Sequence, residues 1–194
     1  MATQSERWLV FGLGNPGNQY ALTRHNIGQM VIEYLATDGF ALPNKLSSHK
    51  SKSDVAEINL GGQKVLIAQS HGYMNESGQP ARALADFYKV SVDRLIVIHD
   101  ELDLPFSTLR IKKGGGDNGH NGLKSMTSHF TNNYYRLRMG VGRPAHAGQS
   151  ADYVLQKFSP AEQKEIPDFI IRAYHALSTL VTEGLEKAQQ DFNQ

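Results

Sequence analysis

His25 stands in Thr23-Arg-His-Asn26, directly ahead of Ile27, Met30, Val31, Tyr34 and Leu35 at helical spacing. The pattern puts an imidazole at a helix N-terminus, where the backbone dipole disfavours its cation. A neutral imidazole is a base suited to neutral pH. A histidine that only caps or packs is the structural alternative. The apolar run Leu95-Ile-Val-Ile98 leads into His99-Asp-Glu-Leu-Asp103, so carboxylates follow a buried strand abruptly. Asp100 comes first and is the best placed to face a cleft at the strand's end. It could orient a base, ligate a metal or be solvated in a loop. No H-x-x-x-H or D-x-D pair supplies further metal ligands.

Three asparagines sit in turn-rich contexts. Asn15 lies in Gly12-Leu-Gly-Asn-Pro-Gly17, which matches G-x-G-x-x-G letter for letter. A dinucleotide site would need a helix opening at the third glycine. Here Asn-Pro-Gly is turn chemistry and the next helical pattern begins near Asn26, so the turn reads as one that presents Asn15 from a strand's carboxyl end. Asn75, in Tyr73-Met-Asn-Glu-Ser-Gly78, offers an amide donor and an acceptor, or a helix cap. Asn121 closes the glycine loop Gly114-Gly-Gly-Asp-Asn-Gly-His-Asn121, where backbone can approach a ligand. No Walker loop, no G-x-S-x-G and no cysteine occur. Water activated by a histidine is therefore simpler than a serine or thiol nucleophile.

The elements that must hold these groups are legible in outline. Trp8–Gly12 and Leu95–Ile98 read as buried strands, Val55–Leu60 and Gln63–Gln69 as a hairpin around Gly61-Gly62, and 108–112 and 135–141 as further strands. Helices are expected from near Asn26 to Gly39, around Ala81, Leu84, Phe87 and Tyr88, around Leu123, Met126 and Phe130, and over 160–190. In the last, Ile170, Ile171, Tyr174, Leu177, Leu180 and Val181 form the buried face. Pro43–Ser53 reads as a loop, and 191–194 as a fraying end. Strands and helices that intermix throughout imply an α/β fold: one domain over 1–194, with a mixed twisted β-sheet flanked by helices.

The 194 residues carry a net charge of only +1, no apolar run of membrane-spanning length and no visible secretory signal, so the expectation is a cytoplasmic protein. The charge is uneven. Between Phe106 and Ser150 lie Arg110, Lys112, Lys113, Lys124, Arg136, Arg138 and Arg143 against the single acid Asp117. A local basic region suits a phosphate-bearing partner, although a solvated charge pattern would look the same.

Together these stretches resemble bacterial peptidyl-tRNA hydrolases. Gly12–Gly17 with Tyr20, Thr23–Asn26 and Gly28, then Tyr73-Met-Asn75 with Ser77-Gly78, then His99–Pro105, then Gly114–Gly116 with Gly119–Lys124 follow that family's order across nearly the whole chain. The resemblance implies a monomeric α/β enzyme without metal or cofactor. Its substrate would be peptidyl-tRNA, and the bond cut the ester between a peptide and the tRNA 3′ end. By similarity His25 activates water and Asp100 orients it. Asn15, Asn75 and Asn121 line the site, Met74 contacts the peptide, and Tyr20 and His120 lie nearby. Lys112 and Arg138 match a pair that holds the tRNA 5′-phosphate, with Arg110 adding to that surface. The chain departs from the family at Gln69-Ser-His-Gly-Tyr73, at Leu46–Ser53, which lacks an aromatic, and at Pro144–Gln149, which carries His146 but no lysine. The alternatives are an RNA-binding protein without activity, or another enzyme, a peptidase or nucleoside phosphorylase, on a related fold.

Overall fold

The computed structural model describes residues 6–37 and 45–193. Seven strands form one sheet: β1 (Trp8–Gly12), β2 (Ser47–His49), β3 (Ser53–Leu60), β4 (Gln63–Ser70), β5 (Leu95–Glu101), β6 (Leu109–Lys113) and β7 (Tyr135–Gly140), in the order β2-β3-β4-β1-β5-β7-β6. β1 runs parallel to β4 and β5, and β5 parallel to β7, while β2–β3, β3–β4 and β6–β7 pair antiparallel. The sheet is therefore mixed. Its helices are α1 (Ile27–Thr37), α2 (Gly78–Tyr88), α3 (Asn121–Phe130), α4 (Ser150–Val154), α5 (Pro160–Glu183) and α6 (Leu185–Phe192).

The sheet separates two cores. Val10, Ile67, Ile96 and Ile98 pack with Val31 and Leu35 of α1, Phe169 and Leu177 of α5, and Ala188 of α6. Leu9, Phe11, Leu66 and Val97 pack with Leu84 of α2 and Met126 of α3 on the other face. Central strands covered on both faces need apolar side chains at successive positions, which is why 8–12 and 95–98 read as continuous runs rather than alternations.

Two glycines bring α1 against the sheet. A Cβ on Gly12 would stand 2.3 Å from the Gly28 carbonyl oxygen, and one on Gly28 2.4 Å from the Ile98 carbonyl oxygen. The first glycine of the G-x-G-x-x-G match thus serves helix-to-strand contact. The same contact sets the start of α1 beside the end of β5.

Several expectations are corrected. The stretch read as a loop to Ser53 contains β2, while Pro43 and Gly39 lie outside the described residues. β5 continues through Asp100 to Glu101, three residues past the apolar run, because β7 offers paired backbone as far as Gly140. Residues 160–190 form two helices, broken at Gly184 with φ +94°. Ile171 is exposed rather than buried, and Tyr174 is half-buried. In place of the expected fraying end, α6 extends to Phe192 and the Asn193 side chain pairs with the backbone N–H and C=O of Ile111, at 2.7 and 2.9 Å, on edge strand β6, while Gln194 lies outside the described residues.

Candidate active site

The last residues of β5 alternate across the sheet. His99 and Glu101 face the α2–α3 side; Asp100 faces the side where α1 begins. His25 lies in the 3₁₀ turn Arg24–Asn26 that leads into α1. Its Nδ1 stands 2.9 and 3.0 Å from the two oxygens of Asp100. His120 approaches the same carboxylate from α3, with Nε2 2.7 Å from Oδ1. His120 is also the N-cap of α3: its Nδ1 accepts the N–H groups of Gly122 and Leu123 at 3.1 and 3.3 Å.

These contacts assign the tautomers. An accepting Nδ1 on His120 leaves its proton on Nε2, which donates to Asp100. A carboxylate facing Nδ1 of His25 holds that proton there, so Nε2 of neutral His25 carries a free lone pair. Burial depresses the His25 pKa, but the charge and hydrogen bond of Asp100 outweigh it and the net shift is upward from 6.5. This corrects the expectation from the helix terminus alone: the nearby carboxylate dominates the dipole. Burial pushes Asp100 up, yet His25 and His120 pull it further down, well below the usual carboxylate range.

A cavity of about 570 Å³ opens over this cluster. Asn15, His25, Met74, Asn75, Asp100, His120 and Asn121 all line it, so these seven predicted residues converge. Asn15 is fixed most firmly. Its Oδ1 accepts the Met74 N–H at 2.8 Å, which turns its amide N–H₂ away from Met74. Asn26 clamps its backbone: Asn26 Oδ1 accepts the Asn15 N–H and Asn26 Nδ2 donates to the Asn15 C=O, both at 2.9 Å. Asn26 was visible only as a member of the histidine motif. Nothing in its spacing revealed the pairing with Asn15, eleven residues away.

Tyr20 does not line the cavity; its carbonyl accepts the Thr23 hydroxyl at 2.8 Å. Leu102, Ala151, Val154 and Leu155 do line it and were not singled out from sequence. α4 is five residues long, too short to show a helical period. Tyr73, in the divergent segment, is exposed at the cavity wall. Among the described residues, His25, Asp100 and His120 form the one cluster whose ligand atoms, all within 4.8 Å of one another, could hold a metal ion.

The basic residues lie apart. Arg110 and Lys112 on β6 pair in register with Arg138 and Arg136 on β7. Lys112, Arg136 and Arg138 line a second cavity of about 280 Å³ with His99, while Arg110 is exposed outside it. Glu101 and Asn118 line both cavities. Arg138 donates twice to Glu101, at 2.6 and 3.1 Å. Buried Arg136 donates to the carbonyls of Gly115 and Gly116 and so holds the glycine loop. Lys112 forms no ion pair among the described residues.

Comparison with known proteins gives the family. The family model described as peptidyl-tRNA hydrolase matches residues 9–194. A peptidyl-tRNA hydrolase of Frankia alni is 46% identical over 192 residues, covering 98% of this chain and 96% of that protein. That of Streptomyces coelicolor is 46% identical, covering 96% and 94%. The crystal structure of peptidyl-tRNA hydrolase from Acinetobacter baumannii superposes with a TM-score of 0.88 at 34% identity, covering 98% of this chain and 96% of that one. On sequence, length and fold alike, the chain belongs to the peptidyl-tRNA hydrolase family.

Proposed function

We propose that the protein hydrolyses the ester between a peptide, or an N-blocked aminoacyl group, and the 3′-terminal ribose of tRNA, with His25 as general base. The observation that carries this reading is the His25–Asp100 pair at the floor of the cavity, which leaves Nε2 of His25 as the free basic atom. A water held at Nε2 loses its proton to the imidazole as its oxygen attacks the ester carbonyl. The imidazolium that forms is stabilised by Asp100, which stays ionised. The tetrahedral intermediate then collapses. The ribose oxygen leaves and takes the proton back from His25, giving a free carboxylic acid and a tRNA hydroxyl.

Asn15 fits a donor role. With Oδ1 occupied by Met74, its remaining capacity is the amide N–H₂, suited to a developing oxyanion or a peptide carbonyl. Asn75 and Asn121 line the same cavity and can pair with peptide backbone whatever the side chains, as a substrate of variable sequence requires. Met74, Leu102 and the α4 residues supply apolar surface for the acyl part. Lys112 and Arg138, with Arg110, form the phosphate-binding surface, giving affinity that depends on salt and not on sequence. The reading carries the further expectations of a cytoplasmic monomer needing neither metal nor cofactor.

The test is hydrolysis of N-acetyl-aminoacyl-tRNA by the wild type and by folded His25→Ala. Release by the first and loss in the second, with tRNA binding kept, support the reading. Binding without release by the wild type would instead favour an RNA-binding protein that lacks activity.

A further inference from the structure

Arg24 precedes His25 and has no part in the reaction outlined above, yet it is buried and heavily engaged. Its guanidinium carbon lies 4.1 Å from the centre of the Tyr153 ring. Nη1 donates to the Tyr153 carbonyl at 3.3 Å, and Nη2 to Glu162 Oε1 at 2.8 Å. Both partners are anchors. The same oxygen of Glu162 accepts the Ser159 N–H at 2.8 Å, in the capping box that starts α5. Tyr153 sits in α4, and its hydroxyl donates to the Val141 carbonyl at 2.6 Å. Backbone repeats the link. The Arg24 N–H donates to the Gln156 carbonyl at 3.1 Å and the Phe158 N–H to the Leu22 carbonyl at 3.3 Å, around an antiparallel bridge between Thr23 and Lys157. The segment entering His25 is thereby stitched to the segment leaving α4, and α4 is a wall of the main cavity.

We propose that Arg24 is a positioning residue for the hydrolysis: it transmits the placement of the α4 wall to the turn that holds His25. The base and the surface against which the acyl group lies then keep one spacing. An arginine suits the task because its planar fork serves a carboxylate, a carbonyl and a ring face together, which a lysine cannot. A buried ion pair adds little net stability over apolar packing of the same volume, so stability alone does not account for a cation here. The inference rests on His25 being the base.

Two readouts test it: kcat and KM on N-acetyl-aminoacyl-tRNA, and the exchange rate with water of the His25 Nδ1–H proton, read by NMR without substrate. Arg24→Met should lower kcat at least about tenfold with KM changed less than about twofold, because misplacement of a reacting group costs rate more than binding. Exchange of the Nδ1 proton should quicken as its bond to Asp100 loosens. Glu162→Gln, which keeps both hydrogen bonds of the cap but loses the charge, should move both readouts the same way by less, and Arg24→Lys should recover part of the loss. Ser159→Ala is the matched control: it weakens the start of α5 and lowers Tm without touching Arg24. Unchanged kcat and exchange in folded Arg24→Met, or in Glu162→Gln should the first not fold, would overturn the proposal. So would a Ser159→Ala variant that reproduces both effects. Faster exchange in a protein whose wild type shows no hydrolysis would leave Arg24 as the clamp on His25 and remove the proposed activity.

Discussion

His120 Nε2 donates to Asp100 at 2.7 Å while His120 Nδ1 receives the first free N–H groups of α3. One imidazole therefore joins a helix terminus to the carboxylate that serves His25. Because Asp100 divides its charge between two donors, the two histidines compete for it. His120→Asn retains a good N-cap residue but cannot reach the carboxylate. With the charge no longer shared, His25 should hold its proton more strongly, and the acid limb of kcat/KM should move to higher pH. The check is a pH–rate profile; a limb that stays in place would show that His120 caps α3 and does nothing more.

Asp100→Asn should move the limb the other way. The attraction that lifts His25 above 6.5 disappears, while the burial that depresses it remains. If His25 is the base proposed above, the active form is its neutral imidazole, so wild-type activity should fall as pH drops through a midpoint above 6.5, and the variant's limb should lie below it. The plateau should also fall, by about 10²–10⁴, because an amide can favour the wrong tautomer of His25. A limb at or above the wild-type position would contradict the pairing.

Asn26 should matter to rate through Asn15 alone. Asn15→Ala should lower kcat/KM by about 10²–10³, since an oxyanion donor is worth roughly 2.7–4 kcal/mol, and Asn26→Ala by a comparable factor. The double variant should lose little beyond either single one, because residues in one hydrogen-bond network do not add. Full additivity in the double-mutant cycle would separate the two asparagines.

Why was Asn15 legible and Asn26 not? Local signals reported each segment's own backbone: turn chemistry at Asn15-Pro-Gly17, helical spacing after Asn26, an apolar run before His99. The mixed sheet flanked by helices is the one the family resemblance implied, and seven of the residues it named line one cavity. What escaped were relations between segments. β2 has three residues and exists because β3 lies beside it. β5 runs past its apolar stretch because β7 continues to pair with it. The upward pKa of His25 depends on a residue 75 positions away. Ile171 failed because a 24-residue helix on a sheet buries a narrow stripe, and Ile170 already fills that level.

His99 offers an acid-stability prediction. Its ring is buried, its Nδ1–H donates to the Asp100 carbonyl at 2.8 Å, and its Nε2 has no partner among the described residues. Burial first, then neighbouring His120, lower its pKa from 6.5 to about 3. The unfolded chain takes up this proton near 6.5 and the folded one does not, so stability should decline as pH falls from 6.5 toward 3. The other shifted groups act elsewhere. The contribution of Asp100 is lost only below its unfolded value of 3.8, and that of His25 is full below 6.5 and lost as pH rises through its elevated pKa. Between 6.5 and 3.8 His99 should therefore set the slope. Urea unfolding across this window should show the decline in wild type and a flatter curve in His99→Gln.

The basic strands yield the last prediction. Lys112 forms no ion pair among the described residues, whereas Arg138 is held by Glu101 with side-chain exposures of 18% and 10%. A cation already neutralised by a carboxylate releases fewer counterions when phosphate arrives, so the two residues should not contribute alike. Lys112→Ala should weaken tRNA binding and reduce the slope of log K against log salt by about 1. Arg138→Ala should reduce it by less. Glu101→Gln should free the arginine, tighten binding at low salt and steepen the slope. Binding titrations at four or five salt concentrations decide the matter. Equal slopes for all three variants and the wild type would move the phosphate contact away from β6 and β7, while a larger loss at Arg138 than at Lys112 would mean that Glu101 gives way when tRNA binds.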